Sequence, residues 1–292
     1  MWAASSLAGR RFRDDAEASA PAAPAEVLAA LWPAADLRPV SARRVLSGAR
    51  LRCLGGLLLD LLYPPSCLAC PRATATPHAL CSACWVSMGF ITAPVCERLG
   101  TPLPVDLGPG MLSPEAIADP PAYRRARAVA RFTEGPAQTL VHRLKYGDRP
   151  DYARVLGRWM ADAGAALVAE ADVLVPVPLH PRRLWRRRFN QAAELARAIG
   201  QSGGKPLDLD GLVRVKATRS QVGLSRAERA ENIQGALRVA AAAKGRFRDR
   251  RVLLVDDVLT TGATANAAAR ALLRDGAATV DVLVFARVVT TG

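Results

Sequence analysis

Residues 251–276, RVLLVDDVLTTGATANAAARALLRDG, restrict the fold more than any other stretch of this 292-residue chain. Val252 to Val255 form an unbroken apolar run, the pattern of a strand buried on both faces, as in a parallel sheet. The alanine-rich run that follows has helical composition, and Gly276 stands where a helix would close. Between them lies a turn of Thr260, Thr261, Gly262, Ala263 and Thr264. Strand, turn and helix in that order make half of a βαβ unit, and the C-terminal part of the chain repeats the alternation. ARAVARF (126–132), DVLVPVPL (172–179), LVRVKAT (212–218), ALRV (236–239) and TVDVLVFARVV (279–289) read as strands. TLVHRLKYGDRPDYARVLGRWMADAG reads as two helices hinged at Gly147 to Pro150, RFNQAAELARAIG as a helix closed at Gly200, and SRAE (225–228) as a capping box. Such alternation predicts an α/β domain, with helices flanking a largely parallel sheet.

The remaining boundaries follow from composition. Residues 1–45 are rich in Ala, Pro and Arg and lack a secretory cleavage pattern, so they read as a disordered extension. Leu51, Leu54, Leu58, Leu61 and Leu62 recur at helical spacing, predicting an amphipathic helix ended by Pro64 and Pro65. This helix and the cysteines behind it form a module over 46–100, a Pro- and Gly-rich linker covers 101–122, and the main domain covers 123–292. No apolar run approaches the roughly 20 residues that span a bilayer, so a chain without membrane insertion, resident in the cytoplasm, is expected.

Four cysteines, Cys67, Cys70, Cys81 and Cys84, form two CxxC pairs. Two such knuckles bring four thiolates to tight turns, the tetrahedral sulfur set that zinc prefers, while an expected reducing compartment disfavours a disulfide framework. Cysteines buried or redox-active without metal are the alternative. Cys53 and Cys96 are left over, and CERLG around Cys96 has the look of a third knuckle whose second ligand has become Leu99.

Ligands of parallel α/β sheets gather at the carboxyl ends of the strands, and Asp256 and Asp257 stand there. Two carboxylates accept hydrogen bonds from a vicinal diol. Backbone N–H groups at a helix start, with threonine hydroxyls beside them, seat a phosphate. A ribose 5-phosphate combines both groups. An acidic loop that merely caps a helix, or a magnesium site of the phosphatase type, are the other readings of the same residues.

VLLVDDVLTTGAT closely resembles the phosphoribosyl pyrophosphate (PRPP) motif of type I phosphoribosyltransferases. Together with LKYGDR, VPVPLHPRRLWRRRFNQAAELA, RVKATRSQVGLSRAERAENIQGAL and the CxxC pairs after LLYPPSC, it resembles the ComF (competence protein F) family over roughly residues 50–290. The resemblance implies a type I phosphoribosyltransferase-like sheet with an N-terminal zinc-ribbon module. It implies that Asp256 and Asp257 hold the ribose of PRPP, that Thr260, Thr261, Gly262, Ala263 and Thr264 hold its 5-phosphate, and that Mg2+ accompanies the diphosphate. It places Pro178 to Arg188 as the pyrophosphate loop, with Arg182, Arg183, Arg186, Arg187 and Arg188 drawing pyrophosphate or nucleic acid. Arg214 to Gly235 would be a closing lid, with Arg214, Lys216, Thr218, Ser220 and Gln221 as donors.

Charge supports an anionic ligand in that region. The chain carries a net +14, and residues 176–235 hold twelve Lys and Arg against five Asp and Glu. That is half the excess in about a fifth of the chain, more than an arginine-rich composition alone explains. Any reaction would displace pyrophosphate from C1 of PRPP toward an unknown acceptor. No nucleophile with an orienting partner is visible: His142 reads as packing in a helix, and His180 as either packing or a phosphate contact. A different class of function fits the same residues. A zinc ribbon beside a basic domain, with Trp185 among arginines, suits single-stranded DNA or the machinery that takes it up, the PRPP site then being regulatory or vestigial.

Overall fold

A computed structural model of the protein describes residues 64–106, 108–146, 150–216 and 235–289, without the side chains of Pro150 and Arg186. The expected extension over 1–45, the leucine helix, Cys53, Thr218, Ser220, Gln221 and the SRAE cap lie outside the described residues.

Strands β1 (Ala126–Arg131), β2 (Val173–Pro176), β5 (Arg251–Leu259) and β6 (Thr279–Arg287) form one sheet in the order β1-β6-β5-β2. Every pairing in it is parallel. Alternation along the strands divides the core. Leu253, Val255, Leu283 and Phe285 face one layer, where they meet α3 (Pro136–Tyr146), α4 (Pro150–Ala163) and α7 (Gln191–Gly203). Val252, Leu254, Val282 and Val284 face the other, against Ala265, Ala268, Ala269 and Leu272 of α8 (Ala263–Arg274). Helices on both faces explain why β2, Val252 to Val255 of β5 and Val282 to Ala286 of β6 are unbroken apolar runs. Gly157 lets α4 and α7 approach closely, since a Cβ there would lie 2.4 Å from Cβ of Ala198.

Several expected boundaries shift for identifiable reasons. The strand at 172–179 stops at Pro176, and Pro178 has no N–H with which to continue it. The segment 212–218 does not join the parallel sheet: β3 (Leu212–Arg214) pairs antiparallel with β4 (Leu237–Val239) as a separate ribbon. Helix α7 closes at Gly204, whose φ of 61° is left-handed, rather than at Gly200, which packs within the helix against the Lys205 carbonyl and Leu207. The stretch expected as a linker contains α2 (Pro114–Ala118), capped by Ser113. Pro181–Arg187, expected as a loop, is a short helix, α6. A five-residue α1 (Ser82–Val86) follows the second cysteine knuckle, and α5 (Ala165–Glu170) lies between α4 and β2.

The amino ends of the strands are locked by charge. Asp281, almost fully buried, receives Arg124 at 2.5 Å and Arg125 at 3.2 Å, and both arginines also reach Glu170. Arg251 pairs with Asp172 across the starts of β5 and β2. No helix among the described residues is long and apolar enough to cross a membrane.

Candidate functional site

The carboxyl end of the same sheet is built differently. Strand β5 runs on through both aspartates to Leu259, with Asp256 in register with Val284 of β6. Successive side chains of a strand point to opposite faces. Asp257 accordingly meets Lys145, which reaches it from the last turn of α3 at 3.2 Å. Asp256 accepts a hydrogen bond from the Asp257 backbone N–H at 2.8 Å. Burial, joined by the charge of Asp257, pushes its carboxyl up to about 7, against the opposing pull of that N–H, Lys145 and Arg214. Arg214, buried at the end of β3, is itself held below the ordinary arginine range by burial and by the neighbouring charge of Arg183. The two acids thus have basic side chains from α3 and β3 beside them, and Arg183 of α6 adds its charge next to Arg214.

The turn after β5 leads into α8. Gly262 is the cap residue, with φ 77°, and offers no side-chain cap to the first helical turn. The Thr261 hydroxyl accepts from Ala263 N at 3.5 Å, and Asn266 fastens the turn by accepting from Ala122 N at 2.7 Å. Thr260, Thr261, Ala263 and Thr264 are half-buried. Hydroxyls, a glycine turn and a helix start at one point are suited to an anion. Two carboxylates a few residues before them are suited to hydroxyl donors.

The basic segment is a helix presenting its arginines in different directions. Arg182 and Arg188 are exposed, while Arg183 and Arg187 are half-buried. Arg187 bonds Gln191 Oε1 at 3.1 Å and lies 5.4 Å over the Tyr146 ring. His180 caps α6 by accepting from Arg182 N, and His142 is exposed with its ring beside Tyr146. Trp185 is 88% exposed. Lys216 is exposed and lies near Gly235, so the β3–β4 ribbon brings the two ends of the expected lid together. Sequence reasoning missed Lys145: it lies in the LKYGDR motif, but only the fold shows that it reaches Asp257.

The four sulfurs of Cys67, Cys70, Cys81 and Cys84 lie within 4.8 Å of one another. A zinc tetrahedron with bonds of about 2.3 Å has edges of about 3.8 Å, and Cys70 and Cys81 already stand 3.7 Å apart. For Cys67, burial opposes ionisation but is outweighed by N–H groups of Cys81, Ala69 and Cys70, which lower the thiol to about 6. Burial and the other three sulfurs push Cys84 up to about 12. Four sulfurs this close ionise together only around a cation, so the residues fit the metal. Cys96 keeps a knuckle-like turn without a second thiol: its buried sulfur accepts from Leu99 N at 3.4 Å and Ser113 N at 3.2 Å.

Comparison with known proteins agrees with this arrangement. The double zinc ribbon domain matches residues 58–116, and the phosphoribosyl transferase domain matches residues 189–290. The DNA utilization protein YhgH of Salmonella typhimurium is 33% identical over 234 residues, covering 78% of this chain and 99% of the relative. The chain belongs to the ComF family. Competence protein F of Haemophilus influenzae, 31% identical over 72% of this chain and 91% of its own length, is a further member. Among solved structures, the glutamine PRPP amidotransferase from B. subtilis overlays 49% of this chain and 30% of that one, at 25% identity and a TM-score of 0.34. That overlay is too loose to carry a function across. The ComF chain therefore joins a zinc ribbon to a phosphoribosyltransferase-type sheet.

Two outcomes follow from the site. Metal analysis should find about one zinc per chain, lost in Cys81→Ser; a folded wild type without metal would refute the assignment. The raised carboxyl of Asp256 also has a pH signature. Its folded value of about 7 exceeds the ordinary carboxylate value, so the folded state holds the proton more tightly and stability falls as pH rises from about 4 to 7. Asp256→Asn should raise the melting temperature at pH 8 by on the order of 3 °C, a gain that shrinks toward pH 4. Equal melting curves at pH 8 would contradict it.

Proposed function

We propose that this chain binds PRPP, with Mg2+ on the diphosphate, and transfers its phosphoribosyl group to an acceptor, releasing pyrophosphate. One observation carries the reading: Asp256 and Asp257 stand in the carboxyl-terminal half of β5, an inner strand of the sheet, and the threonine turn that opens α8 follows within a few residues. The diol of the ribose would donate to the two carboxylates. The 5-phosphate would take the turn of Thr260 to Thr264. Arg183, Arg214 and Lys145 bring positive charge to the side where a diphosphate would depart. The protein supplies position and charge in this scheme. Bond cleavage at C1 builds positive charge on the ribose and negative charge on pyrophosphate, and only the latter needs cationic partners.

A second reading, retention of single-stranded DNA, is favoured by Trp185, an aromatic side chain left 88% exposed on an arginine-bearing helix. The names competence protein F and DNA utilization protein, borne by relatives, accord with it. Phosphate contacts and base stacking need no sequence readout.

Mg-PRPP should raise the melting temperature of the wild type and leave that of Asp256→Asn/Asp257→Asn unchanged. A wild type that shows no shift sinks the PRPP reading. Pyrophosphate release in the presence of nucleobases or ammonia then identifies the acceptor class. For the second reading, a single-stranded oligonucleotide should bind in a salt-dependent manner and weaken in Arg182→Ala/Arg188→Ala and in Trp185→Ala. Affinity indifferent to salt and to both variants counts against DNA.

A further inference from the structure

Helix α3 touches both the cysteine knuckle and the acidic pair. Leu68 lies between Cys67 and Cys70 and is buried in the core with Leu140, Val141 and Leu144 of α3. Its carbonyl accepts from Arg143 Nη1 at 2.5 Å and from the Tyr152 hydroxyl at 3.4 Å, and Arg143 also donates to that hydroxyl at 3.1 Å. Arg143 is on α3 and Tyr152 on α4, so the peptide between two metal ligands is clamped by two helices of the other domain. Two residues beyond Arg143 on the same helix, Lys145 holds Asp257. A second contact stiffens the joint: Trp85 of α1 packs against Phe90 in a tilted pair with ring centroids 4.7 Å apart and meets Trp159 of α4 edge-on at 6.3 Å. Residues 89–91 also bond to β1, through Ile91 N to Val129 O and Arg131 N to Gly89 O.

We infer that α3 is a strut coupling the metal state of the Cys67, Cys70, Cys81 and Cys84 cluster to the posture of Asp257, with Arg143 and Lys145 as its two positioning residues. The physical step is local. A knuckle closed on metal fixes the Cys67–Cys70 turn and points the Leu68 carbonyl at Arg143. A knuckle without metal leaves four crowded sulfurs free to separate and the turn free to rotate. Arg143 then loses the carbonyl and keeps the Tyr152 hydroxyl, and the last turn of α3, which carries Lys145, loses its tie to the knuckle. Coupling between two sites is reciprocal, so releasing Lys145 from Asp257 must in turn loosen the knuckle's hold on its metal. The strut itself needs no ligand. Its consequence for PRPP rests on the reading proposed above.

Zinc release from the ligand-free full-length chain to an excess of chromogenic chelator tests the strut directly. Lys145→Met and Arg143→Met should each speed release, on the order of fivefold. The double variant should release no faster than the faster single one, because both cut one path. Asp172→Asn breaks an ion pair at the opposite end of the sheet, and should release at the wild-type rate although it also weakens the fold. Wild-type release from Lys145→Met, multiplied effects in the double variant, or equal acceleration by Asp172→Asn each overturn the strut. A second arm adds Mg-PRPP, which should slow release from the wild type and not from Lys145→Met. If Mg-PRPP raises the melting temperature but leaves zinc release unchanged, the coupling falls and the PRPP reading stands. If it does not shift the melting temperature, the PRPP reading falls and the ligand-free arm alone decides the strut.

Discussion

Hydrogen bonding of β5 to β2 on one side and to β6 on the other buries Val252 to Val255 and carries Asp256 and Asp257 to the carboxyl edge of the sheet. Parallel pairing on both sides leaves that strand no polar face, so its first polar residues can stand only where the covering helices end. The turn into α8 must start there as well, because the chain has to leave the sheet and cross back to reach β6. Adjacent carboxylates, hydroxyls and a helix start come together for that reason.

The two ends of the sheet differ in how their charges are met. At the amino end, Asp281 is matched by two arginines and Asp172 by Arg251. Those pairs make a closed, well-satisfied floor. At the carboxyl end, Asp257 has Lys145, while Asp256 accepts from a backbone N–H and its carboxyl is raised by burial and by its neighbour's charge. Like charges side by side at a partly desolvated strand end are costly in the free protein. The proposed diol would offset that cost by donating to both carboxylates.

The zinc-ribbon module is joined to the sheet domain through backbone and side chain alike. Residues 89–91 extend the edge of β1, Leu68 enters the helical layer, and the Trp85, Phe90 and Trp159 rings close the seam. A small cysteine-rich segment has little core of its own, and metal supplies what packing cannot. Here the module borrows core from its neighbour too, so its folding and that of α3 and α4 are mutually dependent.

Strands β2, β5 and β6 were legible in the sequence because full burial writes an apolar run, β1 because its apolar residues alternate with arginines, and the CxxC pairs because metal geometry demands that spacing. Asp256, Asp257 and the threonine turn stood out for the same reason: each residue type answers a local chemical need. Helix ends were less legible. Gly200 looked like a stop, yet a small residue serves equally for close packing, and only Gly204 takes the left-handed backbone. The LVRV segment has the composition of a sheet strand, but composition does not choose a partner, and it pairs instead with β4. Sequence by itself determined the class of fold, the metal set and the acidic pair, because each rests on short-range pattern. Tertiary structure alone decided that Lys145 meets Asp257 and that Arg143 meets the Leu68 carbonyl, because residues so distant along the chain become neighbours only when helices settle on a sheet.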